Sequence, residues 1–484
     1  MKNIFKISIL SLGIMTATSC SNDFVEREFE QSVPQSDLVT VQEIQSFVRG
    51  AYVSMRSSTY YGRDFLSFGE IRSDEMFSTG GSGYYNTVRQ YSLLSSDAYA
   101  RDTYAQIYTM VGKANIVINT DLSKLSGTES DVAKATYFQG QAYALRAQGF
   151  FDLLRLYGQK YTGGTLGVVT PTKYDPKALQ ARSTIGETEK QIEDDFNKAL
   201  EFMSTHSSFD APSNKVELSI NALKVLMSRY YLYKGNYAKV RALSNDVIGK
   251  YSVVARDLYQ PSFDFTLRGA APNSIFELEV GTDSSLSTSS YNQIMSANGY
   301  RNVVVSDAAY ASYAANDIRR NLVSRLSVGG AVNNYLSYST RGKYLNRTGA
   351  DNIKMVRYEE VLLNAAEAEL NGGDPAKALA YYKQILGNRL GILTVPSETD
   401  PEETVNISVA DQLAAITSVN LNMIKAERMK ELLGEGFRQW DLLRWGDLSF
   451  KPASVPIEKL AFPIPRSETD IAGTPVVSNP GYDN

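Results

Sequence analysis

The sequence is poor in the residues that build most catalytic and metal sites. Its 484 residues include one cysteine, Cys20, and one histidine, His206. A single cysteine excludes an intramolecular disulfide. A Ser-His-Asp triad, a Cys-His dyad or a histidine-rich metal site would depend on His206 alone, and the polar stretch "STHSSFD" around it is typical of the surface. We therefore expect neither a metal nor a cofactor.

The charge of the chain also excludes some classes of partner. Lysine and arginine number 49 against 53 acidic residues, a net charge of −4, so the basic face that a nucleic-acid partner requires is not expected. No acidic pair stands out as the two carboxylates of a glycosidase. Glu427, Glu431 and Glu435 recur every four residues, which is typical of a solvated or salt-bridged helix face. A binding module is favoured over an enzyme.

The N-terminus, "MKNIFKISILSLGIMTATSC", has the layout of a bacterial secretory signal, with two lysines, a short apolar run and small residues before Cys20. Residues 1–19 are predicted to be a signal peptide, with Cys20 as the lipidation site. Ala17 departs from the leucine that is commonest there, and the alternative is an ordinary signal with an incidental cysteine. Removing residues 1–19 takes away two lysines and no acids, so the net charge of −4 would become −6.

The rest of the chain divides into a tether and a helical domain. Residues 20–40 are polar and acidic, which predicts a lipidated tether to a domain over residues 41–484. No later segment is apolar enough to span a membrane. Within the domain, apolar residues three and four apart predict helices over residues 41–56, 103–119, 131–157, 187–203, 219–249, 355–388 and 411–433.

Two of these stretches repeat one another. "YLYKGNYAKVRALSNDVI", from Tyr231, aligns with "EAELNGGDPAKALAYYKQIL", from Glu367. Both read as a helix, a turn of Gly with Asn or Asp, and a second helix, the pattern of a tetratricopeptide-type hairpin. Gly235 and Gly373 are expected in the left-handed conformation that ends a helix. Residues 131–157 are expected to join the same stack.

Two regions differ in composition from the helical stretches. Residues 57–102 and 268–350 are rich in Ser, Asn, Gly and Tyr, with a short strand candidate at "SIFELEV". We interpret them as ligand-binding loops, because loops on a rigid scaffold commonly carry function. The scaffold itself would comprise about residues 41–56, 103–260 and 351–448. The predicted fold class is mainly α, with hairpins packed against a loop-rich part.

Both tryptophans lie within "EGFRQWDLLRWGDL". Aromatic rings beside planar polar groups are typical of a sugar platform and of a buried helix alike, and burial is the commoner role. A short helix is predicted from near Phe437. On it Arg438 and Asp441 could form a salt bridge, or Asp441 could accept from the indole of Trp445. Trp440 is the ring whose role is more open.

The same segment resembles a known family. "IKAERMKELLGEGFRQWDLLRWGD" is similar to the C-terminal signature of the SusD/RagB family of outer-membrane nutrient-binding lipoproteins. The matching positions are Glu427, Arg428, Glu431, Leu432, Glu435, Gly436, Arg438, Asp441, Leu442, Arg444, Trp445 and Gly446. "CSNDFVE", "YALRAQGFFDLLRLYG", "VRYEEVLLNAAEAEL", "FPIPRSETD" and "SNPGY" also resemble family segments, in order along nearly the whole chain. The loop "QKYTGGTLGVVTP" after Gly158 departs from the family pattern.

The resemblance implies a helical fold with tetratricopeptide hairpins packed against a ligand-binding part. It implies a non-enzymatic, cell-surface lipoprotein of the outer membrane. Such a protein would bind an oligosaccharide or polysaccharide and deliver it to a SusC-type TonB-dependent transporter, as its lid. Two alternatives remain open: uptake of peptides by the same mechanism, and a hydrolase working through a carboxylate pair.

The family signature does not include the ligand contacts, which vary with the substrate. The family's starch-binding members place aromatic contacts in the part of the chain that corresponds here to the glycine-rich loop, where the first candidates are Tyr84, Tyr85, Asn86 and Arg89. The Ser/Tyr-rich insertion supplies the second set, Tyr291, Asn292, Tyr300 and Arg301. For each tyrosine the alternative is a half-buried packing role.

Overall fold

The chain is mainly helical, as the spacing of its apolar residues predicts. The computed structural model describes residues 37–264, 270–397 and 402–482. The predicted signal peptide, Cys20 and most of the predicted tether lie outside these ranges. Residues Val39–Asn484 form one compact unit. Within the described ranges, none of the helices combines the length and the apolar character needed to cross a bilayer.

The helices and strands of the described residues are numbered in chain order. The α-helices are α1 Val41–Met55, α2 Asp64–Ile71, α3 Asn86–Arg89, α4 Ala98–Ile118, α5 Glu129–Tyr157, α6 Ile185–Thr205, α7 Ile220–Tyr233, α8 Tyr237–Asn245, α9 Tyr291–Met295, α10 Asp307–Ala311, α11 Tyr358–Leu370, α12 Pro375–Leu386, α13 Val409–Ala415, α14 Leu421–Leu432, α15 Arg438–Arg444 and α16 Arg466–Thr469. The strands are β1 Met76–Ser78, β2 Ser274–Leu278, β3 Val303–Val305, β4 Ser324–Val328, β5 Ala331–Tyr335, β6 Ser337–Tyr338, β7 Arg341–Gly342, β8 Ile353–Arg357, β9 Leu393–Pro396 and β10 Thr404–Ile407.

Local sequence explains where the long helices begin. At α1, Thr40 accepts a hydrogen bond from the backbone of Glu43, whose side chain accepts in return from the Thr40 backbone. The same reciprocal capping box starts α5 at Thr128 and α6 at Thr184. Each box satisfies two backbone N–H groups that the helix leaves without a partner, so these boundaries are set by residues three positions apart.

Buried ion pairs connect the helical layers. Helix α5 packs against α1, α4 and α6. Arg146 on α5 donates two hydrogen bonds to Asp195 on α6, at 2.8 and 2.7 Å. Arg229 on α7 holds Glu360 on α11 in the same way, at 2.8 Å for both bonds. Such bidentate pairs set orientation as well as contact, and they give the scaffold a defined geometry.

Both predicted helical hairpins are confirmed. Helices α7 and α8 form the first, and α11 and α12 form the second. Gly235 adopts the expected left-handed conformation, at φ 67°. The prediction for Gly373 is wrong by one residue, because Gly372 takes the positive φ of 94° and Asp374 then caps α12.

Two other predictions are corrected by the structure. Residues 57–102 are not all loop, since they contain α2. Every residue of α2 is buried, so it lacks the one-sided apolar period by which a surface helix is recognised. The single helix predicted over residues 411–433 is two helices, because the Asn420 side chain accepts from the Met423 backbone at 3.0 Å and starts α14 afresh.

A small antiparallel sheet joins the two loop-rich regions. Its strand order is β1-β3-β5-β4. Strand β1 comes from the first region and pairs with β3 of the second, with Phe77 opposite Val304. The strand predicted at "SIFELEV" is confirmed as β2, which pairs with β8. The sheet therefore brings both sets of candidate ligand residues to one place.

Candidate functional site

One buried side chain, Asn302, connects the two candidate loops. Its amide group donates to Ser78 Oγ at 2.9 Å and to the Tyr84 carbonyl at 2.7 Å. Its carbonyl oxygen accepts from Ser82 Oγ. The backbone adds a bond from Thr79 N–H to the Asn302 carbonyl at 2.7 Å. Sequence reasoning missed Asn302, since nothing in its neighbourhood marks an asparagine that bonds residues far away.

These hydrogen bonds of Asn302, called the clamp below, hold Tyr84 beside Tyr300. Their ring centroids are 5.0 Å apart, with the ring planes at 41°. Both side chains are half-buried, so each ring keeps part of its surface open. The guanidinium carbon of Arg63 lies over the Tyr84 ring, 5.4 Å from its centroid. The structure thus brings together two residues that the sequence analysis placed in separate candidate sets.

Tyr85 must be removed from the candidate ligand contacts. Its side chain is fully buried, at 0% exposure, and its hydroxyl donates to Asp64 Oδ1 at 2.7 Å. Burial raises the pKa of Asp64, and the hydrogen bonds from Arg63 and Tyr85 offset part of that rise. Burial and the charge of Asp64 raise the pKa of the Tyr85 phenol, which stays protonated as a donor. Tyr85 anchors the loop from inside.

Replacing Tyr85 by Phe is expected to lower the free energy of unfolding by about 1–3 kcal/mol, because the buried Asp64 carboxylate loses one of its hydrogen-bond donors and keeps only those of Arg63. Urea denaturation would measure the change. Tyr174→Phe is the matched control, since Tyr174 is 52% exposed and should change stability by less than about 0.5 kcal/mol. Equal effects of the two substitutions would contradict an anchoring role for Tyr85.

Tyr291 and Asn292 are also corrected, for the same reason. Both are buried in the short helix α9, at 3% exposure each. The Tyr291 ring packs edge-on against Tyr344, with centroids 4.8 Å apart. The Asn292 amide donates to Ser337 Oγ at 3.0 Å and to the Tyr344 carbonyl. The alternation of polar and aromatic residues in this serine-rich stretch does not indicate which side chains are buried.

The remaining candidates lie around the Tyr84–Tyr300 pair. Asn86 is half-buried at the start of α3, and Arg89 at its end is exposed. Arg301 is exposed and takes a left-handed conformation, φ 57°, as Tyr85 does at φ 60°. Non-glycine residues in this conformation cost free energy and concentrate at functional sites. Backbone strain therefore marks both loops independently of their composition.

The tryptophans belong to the scaffold rather than to this site. Trp440 is 7% exposed and stacks on Phe65, with centroids 6.0 Å apart. The indole of Trp445 donates to Glu367 at 3.0 Å, not to Asp441. Arg438 likewise pairs with Asp74, at 2.6 and 2.8 Å, rather than with its helix neighbour. The two pairs predicted within the helix are wrong because Trp445 and Arg438 are hydrogen-bonded to carboxylates of other segments.

Asp441 itself is held by arginines. Arg428 donates to its two oxygens at 2.9 and 3.1 Å, and Arg444 donates at 2.9 Å. Burial raises the pKa of Asp441, but Arg428 and Arg444 outweigh that effect and the net pKa is lowered. The charged residues of the signature thus form a buried ionic framework under the loops.

Two family models match the sequence. One, described as "SusD family", matches residues 324–461, and the other, described as "Starch-binding associating with outer membrane", matches residues 23–232. The chain belongs to the SusD family. The resemblance stated from the sequence motifs is confirmed, and the second description associates such proteins with the outer membrane. Tyr300 and Arg301 lie between the two matched ranges.

Individual SusD-like proteins are similar over nearly the whole chain. SusD-like protein P2 of Formosa agariphila is 24% identical, and the match covers 99% of each chain. A SusD superfamily protein of Bacteroides thetaiotaomicron is 26% identical, with a TM-score of 0.75 over 91% of this chain and 100% of that one. Surface glycan-binding protein A of the same organism, solved in complex with laminarihexaose, is 17% identical, with a TM-score of 0.67 over 90% and 99%.

Proposed function

We propose that this SusD-family protein is a lipid-anchored, cell-surface binding protein that captures an oligosaccharide or polysaccharide without cleaving it. It would deliver the glycan to a SusC-type TonB-dependent transporter and act as the lid of that transporter. The observation that carries the proposal is the Tyr84–Tyr300 pair, two partly open rings held at the surface by a buried clamp. The glycan bound to a protein of the same fold supports the ligand class.

The geometry suits a sugar. A pyranose ring has apolar C–H faces that pack on an aromatic ring, and its hydroxyl groups need hydrogen-bond partners at the rim. Tyr84 and Tyr300 supply the aromatic surface, while Asn86, Arg89 and Arg301 supply polar groups beside it. Because Asn302 fixes the spacing of the rings, little ordering is needed on binding, which favours affinity.

The anchor and the scaffold fit the delivery role. Lipidation of Cys20 would hold the protein at the membrane, since two or more acyl chains give stable anchoring. The helical hairpins, joined by the buried Arg229–Glu360 pair, offer a surface of defined shape for docking on a transporter. Ligand capture on loops and docking on helices would then be separate tasks of one chain.

Replacing Tyr84 and Tyr300 together by Ala is expected to raise the dissociation constant for the cognate glycan at least tenfold, or about 1.4 kcal/mol. Aromatic side chains at the centre of a site carry much of its binding energy. Binding would be measured by calorimetry against a panel of oligosaccharides. The melting temperature should change little, because both rings are already partly exposed.

The control for this experiment is Tyr174→Ala, which removes a 52%-exposed tyrosine outside the candidate site and should leave binding unchanged. Unaltered affinity of the Tyr84/Tyr300 double variant would remove the pair from the site. The release of reducing ends from the glycan would favour a hydrolase, and displacement of bound glycan by peptides would favour peptide uptake.

A further inference from the structure

Three stretches beside the aromatic pair lie between acidic residues of the chain and contain arginines but no carboxylate. Residues 76–96, 284–306 and 318–350 include no aspartate or glutamate, although the chain has 53 in 484 residues. The same stretches contain several arginines. A face of one sign on a chain of net charge −4 is informative about its partner.

These stretches are neighbours in space. Strands β1, β3, β4 and β5 of the four-stranded sheet all come from them. The carbonyl of Arg301 accepts from Thr79 Oγ1 at 3.2 Å. The carbonyl of Arg347 accepts from Gln293 Nε2 at 2.9 Å, and the Gln293 carbonyl accepts from Tyr300 N–H at 2.6 Å. Arg301 directly follows Tyr300 in the chain, and the Arg347 backbone is linked to the Tyr300 backbone through Gln293.

Arg89 approaches the same place from the glycine-rich loop. Its Nη1 lies 3.8 Å from the position that a Cβ on Gly80 would occupy. Gly80 follows Thr79, whose backbone and side chain bond the segment containing Arg301. The three exposed arginines Arg89, Arg301 and Arg347 are called the arginine rim below.

The rim guanidinium groups have no ion-pair or hydrogen-bond partner within residues 37–264, 270–397 and 402–482. Two other arginines in these stretches form ion pairs. Arg319 is held by Asp317 at 2.7 Å, and Arg325 by Asp307 at 2.6 Å. The charge of the rim is thus free to meet a ligand.

The hydrogen-bonding character of the face decides which ligand fits. The hydroxyls of a neutral sugar are donors as well as acceptors, so they are best matched where carboxylates accept beside groups that donate. The rim is rich in donors and has no carboxylate to accept. Guanidinium groups present paired N–H donors that match the oxygens of a carboxylate or a sulfate.

We infer that the ligand held by Tyr84 and Tyr300 is an acidic oligosaccharide, in which sugar residues carry carboxylate or sulfate groups that the arginine rim binds. The inference rests on the proposed glycan-binding function and narrows it to anionic ligands. The aromatic pair would receive the apolar face of one ring while the rim neutralises the charges beside it. The acidic remainder of the surface would repel the same ligand and favour this face.

The test uses the mature chain and an array of neutral, uronate-containing and sulfated oligosaccharides in several linkages, with laminarihexaose among the neutral members. At least one acidic member should bind ten times more tightly than every neutral one. Its affinity should fall as salt rises from about 50 to 500 mM, because screening weakens exposed charge pairs. Comparing the uronate and sulfate members identifies which anion is recognised.

The triple variant Arg89→Gln, Arg301→Gln, Arg347→Gln should weaken binding of that ligand at least tenfold and remove most of its salt dependence. Arg49→Gln is the matched control, since it removes one guanidinium that is 60% exposed and lies on helix α1. Equal melting temperatures would show that all variants are folded.

Two results would overturn the inference. Preferential binding of a neutral glycan that depends on Tyr84 and Tyr300 would leave the glycan-binding function standing and contradict an acidic ligand. Binding of an acidic glycan that the triple variant retains unchanged would do the same. If no member of the array binds at all, the proposed function fails and this inference fails with it.

Discussion

Replacing Glu431 by Gln is expected to lower the free energy of unfolding by about 3–5 kcal/mol, although the substitution is nearly isosteric. Glu431 is fully buried among three arginines. One of its oxygens accepts from Arg357 at 3.0 Å and Arg389 at 3.1 Å, and the other accepts from Arg319 at 3.1 Å and Arg389 at 2.9 Å. Either orientation of the glutamine amide would therefore point its NH2 group at two guanidinium donors.

Glu217→Gln is the control for this prediction. Glu217 accepts from Arg49 Nε at 2.8 Å, but the arginine is 60% exposed. Water can replace such a pair, so the change should not exceed about 1 kcal/mol. Urea denaturation of both variants would measure the difference, and a cost below about 1 kcal/mol for the Glu431 variant would contradict the role of the buried cluster.

The pH dependence of stability provides a second test of the stabilising role of Glu431. Burial raises its pKa, but Arg389, Arg357 and Arg319 outweigh that effect and hold the pKa well below its usual value. Because folding lowers this pKa, the stabilisation is complete above the pKa of the unfolded chain, about 4.3, and is lost as the pH falls below it. The gap in unfolding free energy between wild type and the Gln variant should narrow from about pH 5 to pH 2. A constant gap would contradict this assignment.

Replacing Gly436 by Ala is expected to cost about 2–5 kcal/mol, the sum of a strained backbone and a steric clash. Gly436 has φ 80°, and a Cβ there would lie 2.8 Å from Leu66 Cδ2 and 3.0 Å from Leu66 Cα. Helix α2 and the turn before α15 are thus in close contact. Gly69, three residues along α2 from Leu66, also contacts this turn, since its Cβ would lie 2.8 Å from the Gly436 carbonyl carbon.

Gly446→Ala separates the two contributions. Gly446 has φ 72°, but no atom lies within 4 Å of the added Cβ, so only the strain of about 1–2 kcal/mol remains. Gly69→Ala tests the steric clash without the strain of a positive φ. Its gain in helix propensity of about 0.5–1 kcal/mol should be smaller than an overpacking cost of about 1–3 kcal/mol. Stabilisation by Gly69→Ala would show that α2 can move away from the turn.

The helical part of the fold was the part most open to prediction. Helix α1 was predicted over residues 41–56 and ends one residue earlier, at Met55. Its apolar period and its capping residues all lie within the helix or next to it. Helix α2 escaped prediction because burial on all sides removes the period. The break before α14 escaped prediction because the apolar pattern continues across the cap at Asn420.

The candidate site was predictable in its region but not in its residues. Composition pointed to both loops, and the family resemblance pointed to the first. Neither could tell Tyr84, which is half-buried, from Tyr85, which is fully buried. The difference arises because the backbone of Tyr85 is left-handed and its hydroxyl reaches Asp64 on another element. Two adjacent tyrosines in a sequence do not indicate which of them makes such a contact.

The sequence by itself determined the helices, the two hairpins and the family, because periodicity, caps and signature motifs depend on residues that are close along the chain. Tertiary structure alone decided which tyrosines meet, where the signature arginines find their partners, and that Arg89, Arg301 and Arg347 remain unpaired among the described residues. These outcomes depend on β1 pairing with β3 and on charged groups from distant elements competing for one another. Local patterns do not encode the result of that competition, on which the candidate site depends.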